Sequence, residues 1–320
     1  MVDEKPCRPG GAFSFSGPAC RQTNPHAART VEQPLCLLER LYSTNARQGD
    51  LTMRHCLLGL LMAASVTANA AVQTQEIPYT AADGTKMIGY YAYDDAIEGK
   101  RPGIVVVHEW WGLNDYAKQR ARDLAELGYS ALAIDMYGEG RNTEHPKDAM
   151  SFMQAALKDT DAAKGRFNAG LDLLKEQTQT DTDKLGAVGY CFGGKVVLDM
   201  ARQGVPLDGV VSFHGALATE TRAAPGSVKA RVLVEHGAED SMISADDVAA
   251  LNVEMVKAGA DYQFVSLPGA KHGFTNPGAD AHQKNGLDVA YQKAADERSW
   301  RDMQRFFKDT FGPSTPARSQ

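Results

Sequence analysis

Cys191 stands in a setting that could make a thiol a nucleophile. It is the centre of Gly189-Tyr190-Cys191-Phe192-Gly193, a Gly-x-Cys-x-Gly pentapeptide. The apolar run Leu185 to Val188 precedes it, and a helically spaced segment, Lys195 to Arg202, follows. Strand, sharp turn and helix are the context of the Gly-x-Ser-x-Gly elbow, which lifts a nucleophile clear of the sheet. Side chains two residues before and after would collide with so strained a turn, which explains the glycines. Free N–H groups in the first helical turn favour a thiolate over a thiol. A buried cysteine in a glycine-rich turn is the bland alternative, so the pentapeptide needs partners.

Two later segments offer them. His236-Gly237-Ala238-Glu239-Asp240 and Lys271-His272-Gly273-Phe274 each follow an apolar run. Cys191, Asp240 and His272 then stand in the chain order nucleophile, acid, base, which is that of α/β-hydrolases. In that arrangement His272 acts as base and then acid, Asp240 orients it, and Cys191 carries the acyl group. Backbone N–H groups of Phe192 and of a residue near Trp110 would form the oxyanion hole. Glu239 is the nearest rival to Asp240. His108 and His214 also fall at strand ends, as candidates for lining the site, whereas Asp135 reads as a turn cap. No short ligand spacing joins His108, Glu109, His214, His236 and His272, so neither a metal nor a cofactor is expected.

These residues need a scaffold that brings strand ends together. Segments 72–79 and 85–94 alternate around Asp83-Gly84, a hairpin signal. Continuous apolar runs follow at 103–108, 129–136, 185–188, 207–213, 230–235 and 262–267, as expected of strands buried on both faces. Helical patterns separate them at 114–127, 145–158, 161–177, 195–202 and 245–258, and a long terminal helix is expected over 287–311. Alternation of this kind predicts an α/β fold: a mostly parallel central sheet with helices on both faces and an N-terminal antiparallel hairpin. Active sites in such sheets lie beyond the carboxyl ends of the strands, where the candidates above fall.

Composition narrows the setting. The 320 residues are 43% hydrophobic, enough for one large core, and carry a net charge of −6 without a long basic run. Nucleic acid is therefore not an expected partner. Met53-Arg54-His55, the apolar run Cys56 to Val66 and Ala68-Asn69-Ala70 read as a signal peptide, Met53 to Ala70. The run is too short to span a bilayer, so no stable membrane insertion is expected after cleavage. A mature chain starting near Ala71 would be periplasmic or secreted. Residues 1–52 lack periodicity and read as a disordered or non-native extension, with Met53 as the true start. The mature unit is then one domain over 71–311 with a tail at 312–320. Of the cysteines at 7, 20, 36, 56 and 191 it keeps only Cys191, which excludes an internal disulfide.

The stretch Val107-His108-Glu109-Trp110-Trp111-Gly112-Leu113-Asn114, together with Gly189 to Gly194, Gly237, Asp240 and His272-Gly273-Phe274, resembles the dienelactone hydrolase family of the α/β-hydrolase superfamily. The resemblance implies a Cys191-Asp240-His272 triad with Glu109 as a fourth member that checks the thiol until substrate arrives. It also implies arginines that bind the carboxylate of an anionic lactone. Here Asn276 stands where one of them is expected, and Arg141 is the candidate for the other. Trp111 and His214 complete the expected substrate-binding set, with Trp110 and Trp111 as an apolar rim. The expected function is hydrolysis of a lactone or small ester, by a monomer or weak dimer. A general carboxylesterase or thioesterase is the alternative within that class. A thiol redox protein or a non-catalytic binding module is the alternative outside it.

Overall fold

The computed structural model describes residues 72–312. The expected extension 1–52, the signal segment 53–70 and the tail beyond Gly312 lie outside the described residues. β1 (Val72–Thr80) and β2 (Lys86–Asp94) form the expected hairpin. Gly84 takes φ 82° in its turn, and the Asp83 carboxylate accepts from Thr85 N. Then come β3 (Arg101–Val107), α1 (Asp115–Glu126), β4 (Ser130–Ile134), α2 (Pro146–Leu157) and α3 (Thr160–Lys175). β5 (Thr180–Tyr190), α4 (Phe192–Arg202), β6 (Gly209–Phe213) and β7 (Arg231–Gly237) follow. The described chain closes with α5 (Ala245–Ala258), β8 (Tyr262–Leu267), a 3-10 segment (Ala279–Asn285) and α6 (Lys293–Phe311).

The strands form a single sheet in the order β1-β2-β4-β3-β5-β6-β7-β8. β2 runs antiparallel to β1 and β4, and all pairings from β4 through β8 are parallel. Six strands therefore deliver their carboxyl ends to one edge. Every residue of β3 is buried, which accounts for its unbroken apolar run. Ile104 and Val106 face the core with α1 and α6; Val105 and Val107 face the one with α3, α4 and α5. Local signals end the helices as expected. The Asn114 side chain caps α1, Ser244 and Asp247 form a capping box on α5, and Gly259 closes α5 at φ 66°.

Two boundaries differ most from the sequence reading. α6 starts at Lys293, not at 287. The intervening residues run extended beside the His272 loop: Ala290 N donates to His272 O and Gln292 N to Phe274 O, each at 3.1 Å. Leu287 and Val289 face a cavity, whereas the helical spacing runs from Leu287 to Ala290 and Tyr291. β5 begins at Thr180, before its apolar run, because a bulge at residues 182–184 lets the polar stretch pair with Arg101 and Pro102.

Candidate active site

The turn after β5 is an elbow. Cys191 takes φ 54° and ψ −115°, an uncommon conformation for a residue with a side chain. Close approach requires the flanking glycines. A Cβ on Gly189 would come within 2.0 Å of Gly193 O, and one on Gly193 within 2.2 Å of Val107 O. The backbone of α4 thus packs directly on β3 and β5, and Cys191 is left half-buried at the foot of a cavity.

His272 lines the same cavity, in the loop after β8. Its Nδ1 donates to Asp240 Oδ2 at 2.9 Å, which leaves Nε2 for the hydrogen bond with the Cys191 side chain. Asp240 is buried and also accepts from Met242 N. Its rival Glu239 is exposed. Burial by itself would lower the His272 pKa. The neighbouring Cys191 thiol and the Asp240 carboxylate outweigh it and hold the imidazole well above its ordinary value. Phe192 N and Trp110 N take no backbone acceptor among the described residues, as an oxyanion hole needs. His108 Nδ1 bonds Glu109 O, the carbonyl of the peptide that carries the Trp110 N–H, and the Tyr137 hydroxyl donates to Trp110 O on the next peptide.

Glu109 follows β3 and lines the cavity. Burial pushes its carboxyl up to about 7, against the opposing influence of Asn276, His272 and Arg120. Asn276 Nδ2 donates to Glu109 Oε2 at 2.6 Å. Asn276 therefore lines the cavity as expected, but its amide is committed to Glu109.

Trp111 also lines the cavity, its ring stacked on His282 with centroids 4.0 Å apart. Two expected substrate contacts are placed elsewhere. Arg141 turns into its own loop, donating to Tyr137 O and Gly138 O and lying over the Phe152 ring. It is absent from the cavity wall because its guanidinium satisfies turn carbonyls that would otherwise lack donors. His214 lies fully buried behind the elbow at φ 39°. Its Nδ1 accepts from Cys191 N at 3.1 Å, so Nε2 bears the proton and donates to Thr275 Oγ1 at 2.7 Å. Burial, then the charges of His272 and Arg120, hold His214 far below its ordinary pKa, as a neutral imidazole. His108 is likewise internal, with Nε2 accepting from Met136 N, and Asp135 caps the 137–140 turn as expected.

Sequence reasoning missed the support behind these groups. Thr275 Oγ1 also bonds the Tyr116 hydroxyl, and buried Arg120 donates to Thr275 O and Asp296. His282, Met150, Met153, Met242 and Lys195 were missed as cavity residues. Only Lys195, one helical turn after Cys191, carried a positional signal.

The comparisons with known proteins agree with this fold. The family model described as "Dienelactone hydrolase family" matches residues 87–311. A solved structure of a dienelactone hydrolase-like promiscuous phosphotriesterase from metagenomic libraries is 37% identical, with a TM-score of 0.70. The match covers 75% of this chain and 99% of that one. A provisionally named carboxymethylenebutenolidase of Aquifex aeolicus is 29% identical, over 71% of this chain and 94% of that protein. A provisionally named 2-oxo-3-(5-oxofuran-2-ylidene)propanoate lactonase of Bradyrhizobium is 27% identical, over 68% of this chain and 91% of that protein.

Proposed function

The chain belongs to the dienelactone hydrolase family of the α/β-hydrolase superfamily, and from that premise we propose that it cleaves a lactone or small carboxylic ester through a thioester on Cys191. One observation carries the reading. A cysteine on a strained elbow shares a cavity with a histidine whose far nitrogen is bonded to a buried aspartate. His272 Nε2 takes the thiol proton, and the sulfur attacks the carbonyl carbon. Phe192 N–H and Trp110 N–H receive the oxyanion. His272 then protonates the leaving oxygen, which for a lactone stays tethered to the acyl group. Water, activated by the same imidazole, hydrolyses the thioester and frees Cys191. Glu109, held by Asn276, lines the same cavity from the end of β3 and disfavours a second negative charge there. The names of the butenolidase and lactonase relatives support the lactone half of the reading.

The test is a panel of aryl esters, thioesters and lactones given to the wild type, Cys191→Ala and His272→Ala. Loss of turnover in both variants, with binding retained, supports the triad. Turnover surviving in both removes it, and peroxide reduction without ester cleavage favours thiol redox chemistry. We propose in addition that the protein is exported, with cleavage before Ala71. N-terminal sequencing of the exported chain checks this, and a mature protein retaining residues before Met53 contradicts it.

A further inference from the structure

The cavity above Cys191 has a volume of about 440 Å³. Trp110, Trp111, Met153, Met242, Ile243 and Val289 make its wall largely apolar. Trp111 is 5% exposed and held face to face with His282, and Trp110 tilts against it with centroids 4.8 Å apart. Burial lowers the His282 pKa, so this ring meets a ligand uncharged at neutral pH.

Charge on the lining is scarce and already matched. Among the described residues, Lys195 is the only lysine or arginine there. Its Nζ donates to Ala218 O at 2.9 Å and pairs with Asp199 at 3.0 Å. Asn276 gives its amide nitrogen to Glu109 and its oxygen to Gly278 N. Arg141 is spent on turn carbonyls outside the cavity. Glu109 faces the space as an acid. An entering carboxylate would lose its hydration and find the cations of the lining already held, Lys195 by Asp199 and His272 by Asp240. A hydrocarbon chain loses nothing of the kind and gains burial against aromatic and thioether surface.

Resting on the reading of Cys191 as the acyl-forming thiol, we propose that this site takes uncharged, apolar esters and lactones and rejects substrates bearing a carboxylate. The specificity residue is Asn276, which neutralises the hydrogen-bonding demand of Glu109 without supplying a positive charge.

The first experiment compares p-nitrophenyl hexanoate with mono-p-nitrophenyl adipate, which differ only in a terminal methyl or carboxylate. The wild type should favour the hexanoate by about 100-fold or more in kcat/KM. Asn276→Arg should narrow the gap by about tenfold, by raising the adipate value. Equal or better turnover of the adipate by the wild type overturns the proposal. The second experiment needs no turnover. Cys191→Ala is titrated with hexanophenone and with 6-oxo-6-phenylhexanoate, followed by tryptophan fluorescence. Hexanophenone should bind about tenfold tighter or more. Equal or tighter binding of the carboxylate overturns the proposal, whether or not either ester is cleaved. If the wild type cleaves neither ester yet prefers the ketone, the acyl-thiol reading falls and the charge preference stands.

Discussion

His214 holds the backbone nitrogen of Cys191 from behind while its other nitrogen grips Thr275, three residues after His272. One neutral imidazole therefore ties the elbow to the loop that carries the proposed base. Thr275→Val keeps the shape but strands the buried His214 N–H and leaves the Tyr116 hydroxyl with Arg120 alone. The expected cost is about 1–3 kcal/mol in urea denaturation, with a lower kcat and little change in KM. A variant as stable and as fast as wild type would show that the link does not position the site. Glu109 offers a second check. Burial raises its folded pKa to about 7 from an ordinary 4.5. Between those values the folded state binds more protons than the unfolded, so stability falls as pH rises and the loss is complete above about 7. Glu109→Gln removes this cost, so its stability relative to wild type should improve from pH 5 to pH 8, by on the order of 1–3 kcal/mol. A gap that stays constant with pH contradicts the assignment. At this scale Cys191, Asp240 and His272 were legible because each follows an apolar run. Thr275 and Tyr116 were not, since a hydroxyl's partner over 150 residues away leaves no local pattern.

Among the elements, α4 does the most. It begins at the elbow, packs on β3 and β5 through glycines, and is tied to α5 by a buried ion pair. Arg202 donates from Nε and Nη2 to the two Glu254 oxygens, each at 3.0 Å, and also reaches Leu217 O. Glu254 in turn accepts from Ala223 N. Removing Glu254 leaves Arg202 with Asp199, 2.8 Å from its Nη1, as its remaining carboxylate partner, so Glu254→Ala should cost about 1.5–3 kcal/mol. Thermal unfolding measures it, and a loss below about 1 kcal/mol would mean that the guanidinium finds other acceptors. The 287–292 strap works differently. It borders the His272 loop with two backbone hydrogen bonds and adds Leu287 and Val289 to the cavity wall. Apolar spacing over so few residues does not distinguish a strap from a helical turn, which is why the terminal helix was drawn too long. Arg141 was misplaced for a related reason. Sequence puts it in the right loop, but the turn carbonyls that hold it exist only once the loop has folded.

For the whole molecule, strand order converts scattered sequence positions into one site. Parallel pairing from β4 to β8 brings Glu109, Cys191, His214, Asp240 and His272 to the same edge. This much was legible, because strands buried on both faces read as unbroken apolar runs. The same sheet buries Glu235 with neither oxygen hydrogen-bonded among the described residues. Burial, aided by Asp302 and only partly offset by Arg298, raises its pKa to about 9. The unfolded chain ionises from about 4.5 upward, so this carboxyl lowers stability progressively as pH rises toward 9. Glu235→Met should therefore stabilise the fold at pH 8 by on the order of 3 kcal/mol, with a smaller gain at pH 5, in urea denaturation. A destabilised variant at pH 8 would mean that the carboxyl has a partner. The central claim is that Cys191 forms the acyl intermediate. The direct measurement is intact-mass analysis of enzyme acid-quenched during turnover of p-nitrophenyl hexanoate, followed by peptide mapping. The account predicts one hexanoyl adduct, on the peptide containing Cys191 and absent from Cys191→Ala. An adduct on another residue, or turnover by Cys191→Ala at the wild-type rate, would contradict it.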